Sequence, residues 1–295
     1  GNFNISDIQP FLSIAGDSIA ASLNGTVSIR AGISDHPNAE CNILATGIRY
    51  NGIAYGDFRL EASSLDVGKR IWVEGMATRG MLKGATEKGS VGIGGADERL
   101  NLDVYIPRET SLDGINPFTE GVVSIRKGFI TAQMRVEGTS SEPLLKGSFE
   151  LRDVQFMVDY TKVTYNIPAL RGKSDRNIFS VIPFHIVDET GRGRAIGQAT
   201  IKHEFFSKFY IDAEVAGANN LKALNTGAKD NELFYGTGYA DGNAKFIGPW
   251  DKLDLIFNLK TRKNTLVSIP ITETSTTGQV SYVSFRKKYE EELQD

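Results

Sequence analysis

The sequence predicts an all-β fold built as a meander of antiparallel strands, and three observations predict it. Apolar residues recur with period two along most of the chain, as they do in half-buried strands. Turn-forming residues separate these runs. Helical patterns are few.

In chain order, Ser6 can cap a short helix through Gly16, which Pro10 limits to about one or two turns. The alternating runs then begin. Ile71 and Val73 share a face, as do Leu102, Val104 and Ile106, and then Ile130, Ala132, Met134 and Val136. Phe149 goes with Leu151, and Val154, Phe156 and Val158 form the next set. Phe209, Ile211, Ala213 and Val215 follow, and finally Leu253, Leu255, Phe257 and Leu259. Turns are expected at Asn24-Gly25, Glu137-Gly138, Gly191-Arg192-Gly193, Asp241-Gly242 and Gly248-Pro249. A second short helix is expected over Asn219–Gly227, where Leu221 and Leu224 lie three apart and a glycine ends the run. The polar Arg286–Asp295 reads as a frayed helix or tail. An apolar residue, any residue and a glycine recur at Gly25, Gly84, Gly147 and Gly236, read as glycine relieving crowding where the chain bends or crosses a partner strand.

The chain has 295 residues and 40% apolar content, which suits a thin or elongated core. We read one domain over residues 1–295, with 168–180 as the place where a subdivision would fall. The 33 basic and 36 acidic residues are evenly spread, giving a net charge of -3 and no basic field for a nucleic-acid partner. The single cysteine, Cys41, excludes an internal disulfide and reads as a half-buried strand or loop residue. No apolar run is long enough to cross a bilayer as a helix. Gly1 reads as a cloning or cleavage remnant, so a piece of a longer protein is expected.

No residue set carries chemistry. His36, His185 and His203 sit in unrelated segments; His185, within apolar VIPFHIV, reads as structural, and Glu204 points away from His203 across the strand. The glycine-rich Val91–Glu98 lacks the lysine and the serine or threonine of a phosphate loop and reads as a hairpin end. Acidic residues are scattered. No catalytic residue, metal site or cofactor is expected, and the protein is not read as an enzyme.

With helices so few, the apolar strand faces need cover from a second sheet or from a ligand. A β-sandwich satisfies the first case, and a sheet curled around an apolar groove the second. Periodicity does not separate them.

The block Leu233–Pro249, with Phe234, Tyr235, Gly236, Gly242, Gly248 and Pro249, leads into a threonine-containing hairpin with Thr261 and Thr265 that ends at Ile269, Pro270 and Ile271. This order resembles the C-terminal region of the TamB family, particularly its Bacteroidetes-type members. Glu142–Ile167 and, more weakly, Leu23–Ile43 resemble the family's repeating strand unit. The resemblance implies a taco-like half-barrel: an elongated, curled antiparallel sheet with an apolar concave groove that holds phospholipid acyl chains. It also implies a periplasmic body, an inner-membrane anchor in a part N-terminal to this chain, and an Omp85-type outer-membrane barrel as partner. On that reading the groove candidates are Phe149, Leu151, Val154, Phe156, Val158, Phe209, Ile211, Val215, Leu253, Leu255, Phe257 and Leu259, with Asp254, Asn258 and Lys260 facing water. Two alternatives stand beside lipid conduction. One is a scaffold binding outer-membrane barrel proteins by strand addition. The other is an ordinary sandwich binding module, for which Trp72 and Trp250 would supply aromatic surface.

Overall fold

The structure, a computed structural model, describes residues 2–4, 19–30, 38–66, 70–92, 99–139, 141–204, 207–231 and 233–270. The helix expected from Ser6, His36, residues 93–98 of the glycine-rich stretch, Ile271 and the polar end fall outside these ranges.

The strands are β1 (Asn2–Asn4), β2 (Ile19–Arg30), β3 (Asn38–Tyr50), β4 (Ile53–Asp66), β5 (Arg70–Arg79), β6 (Thr86–Gly92), β7 (Leu100–Ser111) and β8 (Val123–Gly138). They continue as β9 (Pro143–Val158), β10 (Val163–Arg176), β11 (Ile178–Asp188), β12 (Arg194–Glu204), β13 (Ser207–Thr226), β14 (Tyr235–Pro249), β15 (Asp254–Thr261) and β16 (Leu266–Ser268). All 16 belong to one antiparallel sheet in which β1 to β15 follow in chain order, while β16 pairs with the start of β14. Among the described residues there is no second sheet, so the two-layer sandwich does not form.

Residues directly opposite in a ladder share a face, so the pairings define which side chains line up across the sheet. One line takes a single residue from each strand between β2 and β14: Gly25, Ile43, Leu60, Gly75, Glu87, Val104, Met134, Gly147, Ser174, Phe179, Ile201, Ile211 and Gly248. A parallel line runs from Ile106 through Ala132, Phe149, Gly172, Val181, Ala199, Ala213 and Phe246 to Leu255. This is the inner face, and almost all of it is apolar or glycine. The buried core belongs to it, gathering Val154, Ile167, Leu170, Ile186, Ala195, Ala218 and Leu221.

Register shifts interrupt the ladders of β8 with β9, β11 with β12, β12 with β13 and β13 with β14. Each extra residue bends its strand and strengthens the local twist, which is how a long sheet curls. In β9 the inner positions step from Leu151 to Val154 across Arg152 and Asp153, with Asp153 at φ 50°. Both halves of that strand therefore keep an apolar inner face.

The bulges also correct the second expected helix. Asn219–Thr226 is the last part of β13, and Gly227 follows it. Shifts around Ala218 and between Lys222 and Leu224 turn Leu221 and Leu224 to the same side, where both are buried. Their spacing of three comes from bulges in a strand. Asn24-Gly25 and Asp241-Gly242, expected as turns, lie inside β2 and β14. The Asn-Gly pair that turns is Asn51-Gly52, at φ 46° and 81°, joining β3 to β4 with the two positive values a tight hairpin requires. Gly138, Gly191-Arg192-Gly193 and Gly248-Pro249 do sit at strand ends or between strands.

Of the recurring glycines, Gly25, Gly147 and Gly236 stand where a Cβ would run into a carbonyl of the adjacent strand, those of Asn42, Gln133 and Leu266 respectively. Gly84 differs: it belongs to the turn between β5 and β6.

Between β7 and β8 a 3-10 turn (Leu112–Ile115) and a short helix α1 (Asn116–Thr119) fold back over the sheet. Ser111 caps the turn by accepting from Asp113 N at 3.2 Å. Asn116 clasps Ile125 of β8, its Oδ1 accepting from Ile125 N at 2.7 Å and its Nδ2 donating to Ile125 O at 3.1 Å. Leu112, 2% exposed, enters the buried core. Tyr55 of β4 donates to Gly114 O at 2.6 Å, and the Phe118 ring stacks on Tyr50 of β3 at 5.2 Å. The segment thus ties β8 to β3 and β4 across the strand ends between them.

Candidate functional site

The inner face is the surface with the most to offer chemically, and it has a closed and an open part. Over β9 to β13 the sheet coils until strands three apart meet. Tyr165 Oη of β10 donates to Lys222 O of β13 at 2.8 Å, and Asn225 N donates to Thr161 O at 2.9 Å. Below them Asp188, fully buried, accepts from Thr190 N at 3.0 Å, Thr190 Oγ1 at 2.6 Å and Lys222 N at 2.9 Å. Lys222 Nζ pairs with Glu189 at 2.6 Å. Burial alone would raise the Asp188 carboxyl, but the bonds from Thr190, Lys222 and Gly193 hold it below the usual carboxylate range. The Tyr165 hydroxyl is pushed up, first by burial and then by Asp188 and Glu189. At this end the Phe234 ring meets Tyr160 edge-on at 6.1 Å.

Phe149, Leu151, Val154 and Phe156 pack in or against the core, as does Val215. Val158 lies at the end of β9 opposite Val163, which is fully buried. Ile211 is buried, and Phe209 is half-buried with its ring 5.9 Å from His203. Leu253 precedes β15 and is half-buried. Leu255, Phe257 and Leu259 share the inner face, opposite Phe246, Ala244 and Gly242, yet they are 48%, 54% and 43% exposed. Nothing among the described residues covers them. Asp254, Asn258 and Lys260 occupy the alternate, exposed positions, together with Ile256.

The inner face fits rings against glycines. Phe149 fills the space over Gly172, directly opposite on β10, and Phe184 does the same for Gly197 on β12. Phe58 leans diagonally over Gly75, where a Cβ would lie 2.5 Å from its Cζ. Glycine weakens a strand by leaving bare backbone, and a cross-strand ring restores that contact.

Three polar groups on this face were not singled out by sequence reading. Glu87 of β6 stands between Gly75 and Val104, and burial pushes its carboxyl up. Tyr165 and Asp188 form the closed end. Period two alone would have placed Glu87 inward with its neighbours Ala85 and Gly89, but not beside Gly75. His203 was recognised as pointing away from Glu204; it is buried between the rings of Phe179 at 5.1 Å and Phe209, and burial pushes its imidazole down. His185, read as structural, is instead exposed at an outward position on β11. Cys41 is half-buried on β3. Trp72, on the outer face of β5, and Trp250, beyond β14 with its N donating to Phe209 O at 2.9 Å, belong to strands nine apart in the sheet and form no common platform.

The residues that carried the resemblance build the edge of the sheet. Gly236 and Gly242 of β14 face the carbonyls of Leu266 and Asn258, and Gly248-Pro249 ends the strand. Thr265 Oγ1 accepts from Tyr239 N at 3.0 Å and donates to Tyr239 O at 3.1 Å, holding the excursion between β15 and β16 against β14. Pro270 is exposed just beyond β16.

Among the described residues no group of three or more histidine, cysteine, aspartate or glutamate residues could hold a metal ion, and no helix is long and apolar enough to cross a membrane. A surface hollow of about 480 Å³ lies on the outer face over Thr86, Lys88, Asp103, Tyr105, Gln133 and Arg135. The class is therefore that of curled, single-sheet β proteins with an apolar inner face. Residues 185–295 match the family model of the TamB C-terminal domain. That family is periplasmic in general and is associated with assembly of the outer membrane. No curated protein and no solved structure matches the chain.

Proposed function

We propose that this chain is a lipid-binding and lipid-conducting segment of a TamB-like, periplasm-spanning protein that serves phospholipid transport to the outer membrane and its assembly. The observation that carries the reading is the inner face: two lines made almost wholly of apolar residues and glycine that cross the sheet from strand to strand, with no second sheet over them among the described residues. Exposing a methylene to water costs about 0.8 kcal/mol, so a 16-carbon tail faces a penalty on the order of 10 kcal/mol that a continuous apolar surface removes. Sliding hydrocarbon needs no acid, base or metal, and the reading assigns the protein no catalytic activity and no cofactor. An inner-membrane anchor in a preceding part and an Omp85-type barrel partner complete the proposal.

The test is lipid extraction from vesicles followed by mass spectrometry. Wild type is expected to carry phospholipid, and Phe257→Ser to carry less while unfolding at nearly the same denaturant concentration, because Phe257 is more than half exposed. Protein free of lipid in repeated extractions sinks the reading.

A second reading rests on the outer edge of β15, where Leu255, Ile256, Phe257 and Leu259 are exposed on both faces of a strand paired on one side only among the described residues. Such an edge suits addition of a strand from an outer-membrane barrel protein. Crosslinks from position 256 to protein, with no lipid bound, favour this second reading over the first.

A further inference from the structure

Within the line of inner residues from Gly25 to Gly248, Glu87 is the single charged side chain. Among the described residues it has neither a hydrogen bond nor an ion pair. Of the other charged residues of its own and flanking strands, Glu74, Arg79, Lys88, Asp103, Arg108 and Glu109 are exposed, and Arg70 is half-buried with its Nη2 donating to Ser90 Oγ at 2.5 Å. The groups facing it are Gly75 and Val104, directly opposite, with Phe58 alongside: a Cβ on Gly75 would lie 2.5 Å from Phe58 Cζ and 3.0 Å from Glu87 Cγ. A carboxylate and an aromatic ring therefore lean over the same glycine notch.

We propose that Glu87 and Phe58 form a recognition point for a primary ammonium, carried into the groove by the headgroup of an ethanolamine-type phospholipid. A lone carboxylate in apolar surroundings is costly unless it meets a cation, and no lysine or arginine of the described residues supplies one. A divalent metal ion would need several oxygen ligands, and among the described residues no group of three or more acidic, histidine or cysteine side chains is placed to hold one. An ammonium group satisfies the site with a charge-assisted hydrogen bond to the carboxylate and attraction to the ring face of Phe58. Gly75 opposite leaves the room it needs. Because burial raises the Glu87 carboxyl, its ionised form gains ground as pH rises, and ammonium binding strengthens with it.

This inference rests on the lipid-binding reading, and the experiment separates the two. The whole chain is incubated with vesicles of equimolar phosphatidylethanolamine and phosphatidylglycerol, and the extracted lipids are quantified. Wild type is expected to enrich phosphatidylethanolamine about threefold to tenfold, as one charge-assisted bond would give, and to lose that enrichment on acidification. Glu87→Gln, of the same size, is expected to extract as much lipid in total at the vesicle ratio. Equal ratios in both proteins, with lipid bound, overturn the Glu87 assignment and leave the lipid reading intact; no lipid in either overturns the reading beneath it. Tighter binding of soluble phosphoethanolamine than of phosphatidylethanolamine to wild type, measured by calorimetry, would overturn the assignment to a membrane lipid.

Discussion

Phe149 and Gly172 stand directly opposite in the β9–β10 ladder, and the ring of one fills the space the other leaves empty, so that a Cβ on Gly172 would fall among the ring atoms. Gly172→Ala is therefore expected to destabilise the protein by about 1–3 kcal/mol through overpacking. Phe149→Leu in the same chain should recover part of that loss. A denaturant double-mutant cycle reads the coupling, and strictly additive effects would refute the pairing.

Asp188→Ala leaves the buried Lys222 N and the Thr190 donors short of an acceptor and is expected to cost about 2–3 kcal/mol. The carboxyl's value in the folded state lies below its ordinary one. Its contribution is thus present above the ordinary carboxylate range and is lost as pH falls through the lowered value. Acid unfolding followed by circular dichroism should show wild type losing stability at low pH more steeply than Asp188→Ala. Hydrogen exchange at Lys222 and Asn225 should quicken in the variant.

His203 predicts the opposite end of the neutral range. Its imidazole is held below its ordinary value, so the unfolded chain takes up a proton first. Stability should fall as pH drops through about 6.5, the ordinary histidine value, toward the lowered one. His203→Phe, placed between the Phe179 and Phe209 rings, should flatten the Tm profile between pH 5 and 8; an unchanged slope would show that other groups set it.

Leu112→Ala empties a position that is 2% exposed and should cost about 2–5 kcal/mol. Because Asn116 and Tyr55 still tie the segment down, the loss should appear in the unfolding midpoint and not as a local release of the turn. Limited proteolysis at residues 112–119 distinguishes the two outcomes.

Much of the sheet was legible because period two survives wherever one face is buried. In β9 even the step from Leu151 to Val154 was visible, since both halves keep their alternation on either side of Arg152-Asp153. Where bulges follow closely, as around Ala218 and Leu224, they imitate the spacing of a helix, and local pattern misleads. Glycine was ambiguous for a different reason. Asn24-Gly25 and Asn51-Gly52 are the same dipeptide, yet one crosses a strand beneath the Asn42 carbonyl and the other turns a hairpin. Only the neighbouring strand decides between them. The inward set from Phe149 to Leu259 came from periodicity, but which of those residues are packed and which lie open depends on how tightly the sheet coils. The meeting of Tyr165 with Lys222, which sets that coiling, joins residues too far apart in sequence for any local signal.

Apart from β16, which pairs with β14, each strand from β1 to β15 forms a ladder only with the strand before it and the strand after it in the chain. Such a sheet has no fixed size. Inserting or deleting one hairpin would lengthen or shorten it by about 10 Å, two strand spacings, without rewiring any other pair. The distance such a protein bridges is then a count of hairpins, a dimension evolution could adjust by duplication alone.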